Sequence, residues 1–566
     1  MPMRCQVAAT ALLLALAGTS VASTNFRTMD GTGNNLTPAF DLWGSSEIQL
    51  MRMTGSMYDG DGSTPMGNRP NPRTISNLVF NQPSSMQNAN NLSDFVWQWG
   101  QFLDHDIDLS RDNSGEAFNI VVPSGDAHFL PGDVIPLQRS GFDPSTGTSA
   151  ANPRQQMNGI TSWIDGSNVY GSDDARATWL RETNPLKLGQ LRVQASAFGD
   201  MMPFNDGSME NAGGPGTSLL VGGDIRANEQ VGLTSMHTLF VREHNRLAEQ
   251  IATANPSLSS DEVYERARCI VGAEMQAITF NEFLPALVGT SNIPAYGGYD
   301  DSINPSIRNE FSTALYRIGH TMLSPELKRI GADGNVIAEG NLALRDAFFR
   351  PDRLFTEGGI DPVLRGLASQ AMQEVDAKMV DDVRSFLFGP PGAGGLDLAA
   401  LNIQRGRDHG LPDYNTVRSA YGLSAIGSFD DLTTDAALAA ALRAAYGQTA
   451  GTDNVQLLDV WVGALAEDHM PGAAVGELVA VGLIEQFTAL RSGDRFFYLN
   501  DPNLAGVLGE IGLTLDDLDQ RLLSDVILDN TGILSIQRDV FHVPAPSALL
   551  LAGAAGLGLS GRRRRC

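Results

Sequence analysis

Cysteine is nearly absent from this chain: three in 566 residues, at Cys5, Cys269 and Cys566. Two of these sit in the terminal stretches, so removal of both ends leaves Cys269 alone. That excludes a disulfide framework. An exported chain without cross-links relies on its core, or on a bound metal or cofactor. Cys269 lies in RARCIVGAEMQAITF, a helical-looking apolar segment, and reads as a buried inert thiol. Cations are also few. Lys and Arg total 39 against 65 Asp and Glu, a net charge of −26. Such a chain repels nucleic acid and anionic membrane, so nucleic-acid partners are not expected. Alternating strand-like runs are scarce, and no internal repeat is found.

What is present is apolar material for a large core, 42% of residues. Both ends read as processing signals. MPMRCQVAATALLLALAGTSVAS has an early Arg4, an apolar run, and small residues Ser20 and Ala22 before a cut. Residues 1–22 are therefore expected to be a signal peptide. The last stretch, VPAPSALLLAGAAGLGLSGRRRRC, has a short apolar run, Ala548 to Leu559, and then Arg562 to Arg565. The run falls short of the ~20 residues that span a bilayer. It resembles bacterial C-terminal sorting tails of the PEP-CTERM type, with Ala545 where the middle glutamate is expected. A weak membrane anchor is the alternative. Residues 23–542 are left as the folded domain and 543–566 as the tail. The expected location is extracellular or envelope-associated, with envelope or exopolysaccharide contact through the tail.

From Thr24 to Phe80 the chain is rich in Gly, Asn and Pro and reads mostly as loop. Helical patterns dominate afterwards. Ser93 is a candidate N-cap for DFVWQWGQFLDHD. Apolar residues at three and four spacing mark HTLFVREHNRLAEQIA and VYERARCIVGAEMQAITFNEFLPALVG. They also mark PVLRGLASQAMQEVDAKMVDDVRSFLF and GELVAVGLIEQFTALRSGDRFF. NAGGPGTS and GPPGAGG read as loops inside one large, mainly α domain.

QFLDHDIDLS stands out. At ~100° per residue, Phe95, Val96, Trp99, Phe102 and Leu103 share one helix face. Gln101, Asp104, His105 and Asp108 share the other, and Asp106 falls off that polar face. Spacing alone fits a solvated amphipathic helix.

WGQFLDHDIDLS, TSWIDGSNVYGS, GDIRANEQ, SMHTLFVREHNRLA, LYRIGHTML and LDLAALNIQRGRDHGLPDYN resemble, in order, the motifs of the animal haem peroxidase superfamily. The matches run from about Thr28 to Val540. The resemblance implies a helical domain with haem b buried between helices, little β structure, and hydrogen peroxide as substrate. Small anionic or phenolic donors, namely halides, thiocyanate or phenols, would be oxidised. His105 matches the distal acid–base histidine, Arg226 the catalytic arginine, and Gln101 a distal glutamine. The alternative for Arg226 is a surface ion pair with Asp224 or Glu229. His320 matches the proximal ligand to haem iron, with Asn402 as its partner. Asp104 and Glu229 match carboxylates that form ester links to haem, and Arg405 a propionate contact. Calcium is implied at Asp106 and TSWIDGS: the carboxylates of Asp106 and Asp165, the hydroxyls of Thr161 and Ser167, and the carbonyls of Thr161 and Trp163. His237 and His244 read as satisfied core histidines. Asp108 has no counterpart and reads as solvated, and DGDGS (Asp59 to Ser63) as a plain turn.

Three other functions compete. A fatty-acid dioxygenase of the same superfamily needs a radical tyrosine three residues before the proximal histidine, where this chain has Arg317. A non-catalytic matrix protein would not need both histidines. A zinc hydrolase is disfavoured because HTLFVREH is not HExxH.

Overall fold

The computed structural model describes residues 26–544. The expected signal peptide and the tail beyond residue 544 lie outside the described residues. Two long helices, Val231–Ala254 and Ser260–Ile278, pack against each other across a short turn. The second begins with a capping box, in which Ser259 and Glu262 satisfy each other's backbone N–H groups. Both are buried along most of their length.

The helix Phe95–Ile107 lies against this pair. Its aromatic face does the packing: Phe102 stacks on Phe240 at 5.1 Å between ring centroids, and Trp99 meets the same ring at 5.8 Å. Such pairs add ~0.5–1.5 kcal/mol each beyond the area they bury. Ser93 acts close to its expected cap position. Its hydroxyl accepts from Phe95 N–H (3.2 Å) and donates to the Val540 carbonyl (2.5 Å), tying the helix start to the far end of the domain.

One expectation is corrected. The segment 362–388 is not one helix. It is helical over Asp361–Ser369 and Asp381–Arg384, and extended between. There, Ala371 pairs with Ser93, Gln373 with Gln87 and Met379 with Asn81. Long-range backbone pairing outweighs the helical spacing of the sequence. The N-terminal region to Phe80 contains one helix, Pro72–Val79, started by Asn71 as cap and Pro72 in the first turn. LYRIGHTML forms no α-helix: a π turn, Phe311–Leu315, leads into a 3₁₀ turn, Arg317–His320. A second π turn, Thr279–Phe283, ends the helix Ser260–Ile278 just before Pro285, which has no N–H to continue it.

Strand is sparse among the described residues, in five two-stranded ladders. DGDGS is a turn closed on itself, with the Asp61 carboxylate accepting from Ser63 and Thr64. NAGGPGTS and GPPGAGG are loops. Cys269 is partly buried against Asp501, and burial first, then that carboxylate, push its thiol pKa well up. No helix among the described residues is long and apolar enough to cross a membrane.

Candidate active site

A cavity of ≈ 540 Å³ opens between the His105 helix, the GDIRANEQ loop, the turn ending at His320 and the helix Leu398–Asp408. That lies within the ~300–1,000 Å³ of small-molecule and cofactor sites. Gln101, Asp104, His105, Arg226, Glu229, His320, Asn402 and Arg405 all line it. These eight come from four separate segments, and the fold brings them to one space.

On one wall, His105 is 3% exposed. Burial first, then the nearby Arg226 charge, hold its pKa well below the ordinary value, so the ring is neutral. Its Nε2 lies 3.8 Å from Glu229 and its Nδ1 3.6 Å from Asp224. Arg226 is an ion-pair partner of Asp224, at 2.8 Å, but not on the open surface: Asp224 is buried and the Arg226 side chain is 14% exposed. Its Nε and Nη2 donate to the two Asp224 oxygens, Nη2 also to the Asp108 carbonyl (2.7 Å), and Nη1 to Asp104 (3.2 Å). A guanidinium carries five N–H groups. Four are used, so one on Nη1 remains for an occupant of the cavity.

Asp108 is corrected by this arrangement. It is buried, not solvated, and caps the His105 helix while its carbonyl holds Arg226. Gln101 is fixed from both ends of its amide, donating to Glu229 (3.0 Å) and accepting from Gln230 (3.1 Å). Burial is the first cause that raises the pKa values of Asp104 and Glu229, each to about 7.

On the other wall, the helix Leu398–Asp408 is capped by Asp397 and presents Asn402 to His320. The Asn402 amide lies 2.8 Å from His320 Nδ1, and Asn402 Oδ1 is buried with no partner. The two ends of an amide are nearly isosteric. With Oδ1 turned to His320, Nδ1–H donates to it and the Nε2 lone pair is free to ligate a metal. Burial first, then Arg317, lower the His320 pKa to about 3, which keeps the ring neutral. Arg405 is already engaged, by the Gln138 carbonyl and Ser140, and by Asp112. The Asp112 side chain is 59% exposed, so that pair is weak and can open toward an anionic group in the cavity.

Asp106 points away from this cavity, into the TSWIDGS loop. It accepts from the N–H groups of Asp165, Gly166 and Asn168 and from the Ser167 hydroxyl. Thr161 Oγ1 reaches Asp165 at 3.3 Å, while Trp163 is anchored by its indole N–H on the Gly31 carbonyl. The loop also touches the Arg226 segment. A Cβ on Gly223 would fall 2.3 Å from the Ser167 carbonyl oxygen, and Asp224 N–H donates to Asn168. Only glycine permits that approach. The same loop therefore holds both the His105 helix and the Arg226 loop.

His244 is satisfied, by Tyr170 and the Gly189 carbonyl. His237 is fully buried, with the Asn168 backbone beside its ring as a weak partner that falls short of ordinary hydrogen-bond geometry. Sequence reasoning missed Asp224 as a site residue. Its one signal was its place two residues before Arg226.

A helical domain with neutral histidines on opposite walls of one cofactor-sized cavity suits a planar metal cofactor ligated from one side. The chain belongs to the animal haem peroxidase family, whose model matches residues 26–541. Peroxidasin of Drosophila melanogaster is 37% identical over 521 residues, covering 84% of this chain and 34% of its own length. The chain thus spans about a third of that relative. Peroxidase A from Dictyostelium discoideum superposes with a TM-score of 0.83 at 32% identity, covering 92% of this chain and all of its own. A fatty acid alpha-dioxygenase of Oryza sativa superposes with a TM-score of 0.73 at 21% identity, covering 92% of this chain and 87% of its own, and shares the fold.

Proposed function

We propose that the chain is an exported haem peroxidase that uses hydrogen peroxide to oxidise small anionic or phenolic donors. The observation that carries this reading is the pairing, across one cavity, of neutral His105 and Arg226 with the His320–Asn402 couple. Bound haem supplies the redox-active iron. His320 Nε2 would ligate that iron, with Asn402 accepting from Nδ1–H and raising the ligand's basicity. His105 Nε2 takes the proton from one peroxide oxygen and returns it to the other, which requires the ring to be neutral at the start. Arg226 offers its spare N–H to the charge that develops. Gln101, pinned by Glu229 and Gln230, holds a fixed donor and acceptor beside His105. Asp104 and Glu229 stand on the His105 wall as candidates for ester links to the cofactor rim.

Calcium belongs to the same reading. Two buried carboxylates, Asp106 and Asp165, meet in the TSWIDGS loop. Burial first, then the Asp165 charge, raise the Asp106 pKa to about 8. A divalent cation held by these two, by Thr161 and Ser167, and by the loop carbonyls at Thr161 and Trp163 would relieve both effects. It would lock the His105 helix to the Arg226 loop.

The cavity mouth favours phenols among the donors. Phe348 and Phe388 line the cavity with ring centroids 5.2 Å apart, and Phe349 packs against Phe388 at 5.5 Å. Phe349 and Phe388 both hold positive φ, 53° and 65°, a strained conformation for a bulky side chain. Phe388 is 45% exposed. Such strain persists where packing or function over-determines it.

The test is haem titration followed by a donor screen. The wild type should take up one haem per chain and oxidise iodide or a simple phenol only with peroxide. Haem uptake without any peroxide-dependent oxidation would leave a non-catalytic scaffold.

A further inference from the structure

We propose that Asp224 is the positioning residue of the peroxide-cleaving pair: one buried carboxylate that sets the tautomer of His105 and the orientation of Arg226. The proposal rests on the peroxidase reading above and names the group that makes its two reactive side chains act together.

His105 can serve as a base through Nε2 only if the ring proton sits on Nδ1. Something must select that tautomer. Nδ1 is buried and has no hydrogen-bond partner. A carboxylate oxygen, Asp224 Oδ1, lies 3.6 Å from it. Glu229 competes from the other side, 3.8 Å from Nε2. Two facts decide between them. The Asp224 side chain is 1% exposed and the Glu229 side chain 26%, so the Asp224 field is less screened. Asp224 is also rigid, whereas Glu229 is held by one hydrogen bond from Gln101. A separation of 3.6 Å lies outside hydrogen-bond range. Catalytic hydrogen bonds are often long before substrate arrives and tighten in the complex.

The same carboxylate fixes Arg226 three times. Oδ1 accepts from Arg226 N–H (2.7 Å) and Nε (2.8 Å), and Oδ2 accepts from Nη2 (2.9 Å). Paired contacts of this kind set the plane of a guanidinium as well as its position. That plane leaves one Nη1 hydrogen over the cavity. Asp224 is itself anchored through its N–H to the Asn168 carbonyl, with Gly223 pressed against Ser167. The role parallels the carboxylate that orients histidine in hydrolase triads, here extended to an arginine.

The experiment uses haem-loaded protein and cyanide. Hydrogen cyanide must give up its proton to a base near the iron before the anion binds, so cyanide association reads His105 without turnover. Asp224→Asn is expected to keep its haem at a lowered melting temperature, because Arg226 loses its buried counter-charge, while cyanide association and peroxide reduction both slow by about 10–100-fold. In a His105→Ala background the same change should have much less effect on cyanide association, because the base it orients is gone. Wild-type cyanide kinetics in Asp224→Asn, or an equal slowing in both backgrounds, would overturn the proposal. Asp224→Glu guards against a folding defect. It keeps the charge, lengthens the arm, and should slow cyanide association by about tenfold with haem retained; unchanged kinetics there would also overturn it. A wild type that loads haem and binds cyanide but reduces no peroxide would remove the peroxidase reading instead.

Discussion

Asp106→Asn distinguishes a cation site from a self-sufficient hydrogen-bond cluster by the sign of its effect. Asp106 and Asp165 are 0% and 1% exposed. Burial first, then the Asp165 charge, move the Asp106 pKa from 3.8 to about 8. At pH 7, an Asp106 with no cation beside it therefore carries a penalty of about 3 pH units, on the order of 4 kcal/mol. Asparagine removes that penalty but turns an N–H₂ toward backbone N–H groups that had an acceptor, which returns about 1–3 kcal/mol. In chelator, then, the variant should be at least as stable as the wild type. In calcium the order should reverse. At a thousand times its dissociation constant the ion adds about 4 kcal/mol to the wild type, and the variant, lacking one of two carboxylate ligands, gains little. The assay is thermal unfolding of both proteins in chelator and in saturating calcium. A wild type that ignores calcium, with the variant less stable under both conditions, would mean the loop needs no ion.

Four further outcomes follow from the site. His105→Ala should retain haem and lose about 10²–10⁴-fold in peroxide reduction; near-normal stopped-flow rates would remove its role as base. Oxygen uptake with polyunsaturated fatty acid should be slight, because Arg317 stands where a radical tyrosine would act, bound to the Ser312 carbonyl; vigorous uptake giving one hydroperoxide would favour dioxygenation. After brief peroxide exposure, wild-type haem should resist acidified-solvent extraction, while the double change Asp104→Asn, Glu229→Gln should release it; free extraction from the wild type would remove the ester links. The last outcome concerns pH. His237 has a folded pKa of about 4 against 6.5, set first by burial. A depressed histidine contributes stability fully above 6.5 and loses it as pH falls toward 4, by about 3 kcal/mol. The stability of His237→Leu relative to wild type should therefore rise by that amount between pH 7 and pH 4. A pH-independent difference would show that His237 is not buried neutral.

Much of this arrangement is legible in the sequence, for identifiable reasons. The 3.6-residue period of FVWQWGQFLDHD is local, so the helix, its aromatic face and the divergence of Asp106 from His105 can be read directly. The segment 362–388 cannot, because its extended middle is decided by partners near residues 81–93. Asp108 is misread for the same reason: its burial depends on Arg226, 118 residues away. Asp224 gives almost no signal, since an aspartate two residues from an arginine is ordinary until the fold brings His105 to its other side. The opening between the walls, and the strained Phe388 that lines it, exist only in three dimensions.

The most direct test of the central claim is a single-turnover spectrum. Haem-loaded protein is mixed with one equivalent of hydrogen peroxide and the Soret band is followed on the millisecond scale, then a phenol or iodide is added. The account predicts rapid loss of the resting band, its return on addition of the donor, and neither change in His105→Ala at the same peroxide concentration. A resting band that persists in the wild type, or that bleaches without return, would contradict it.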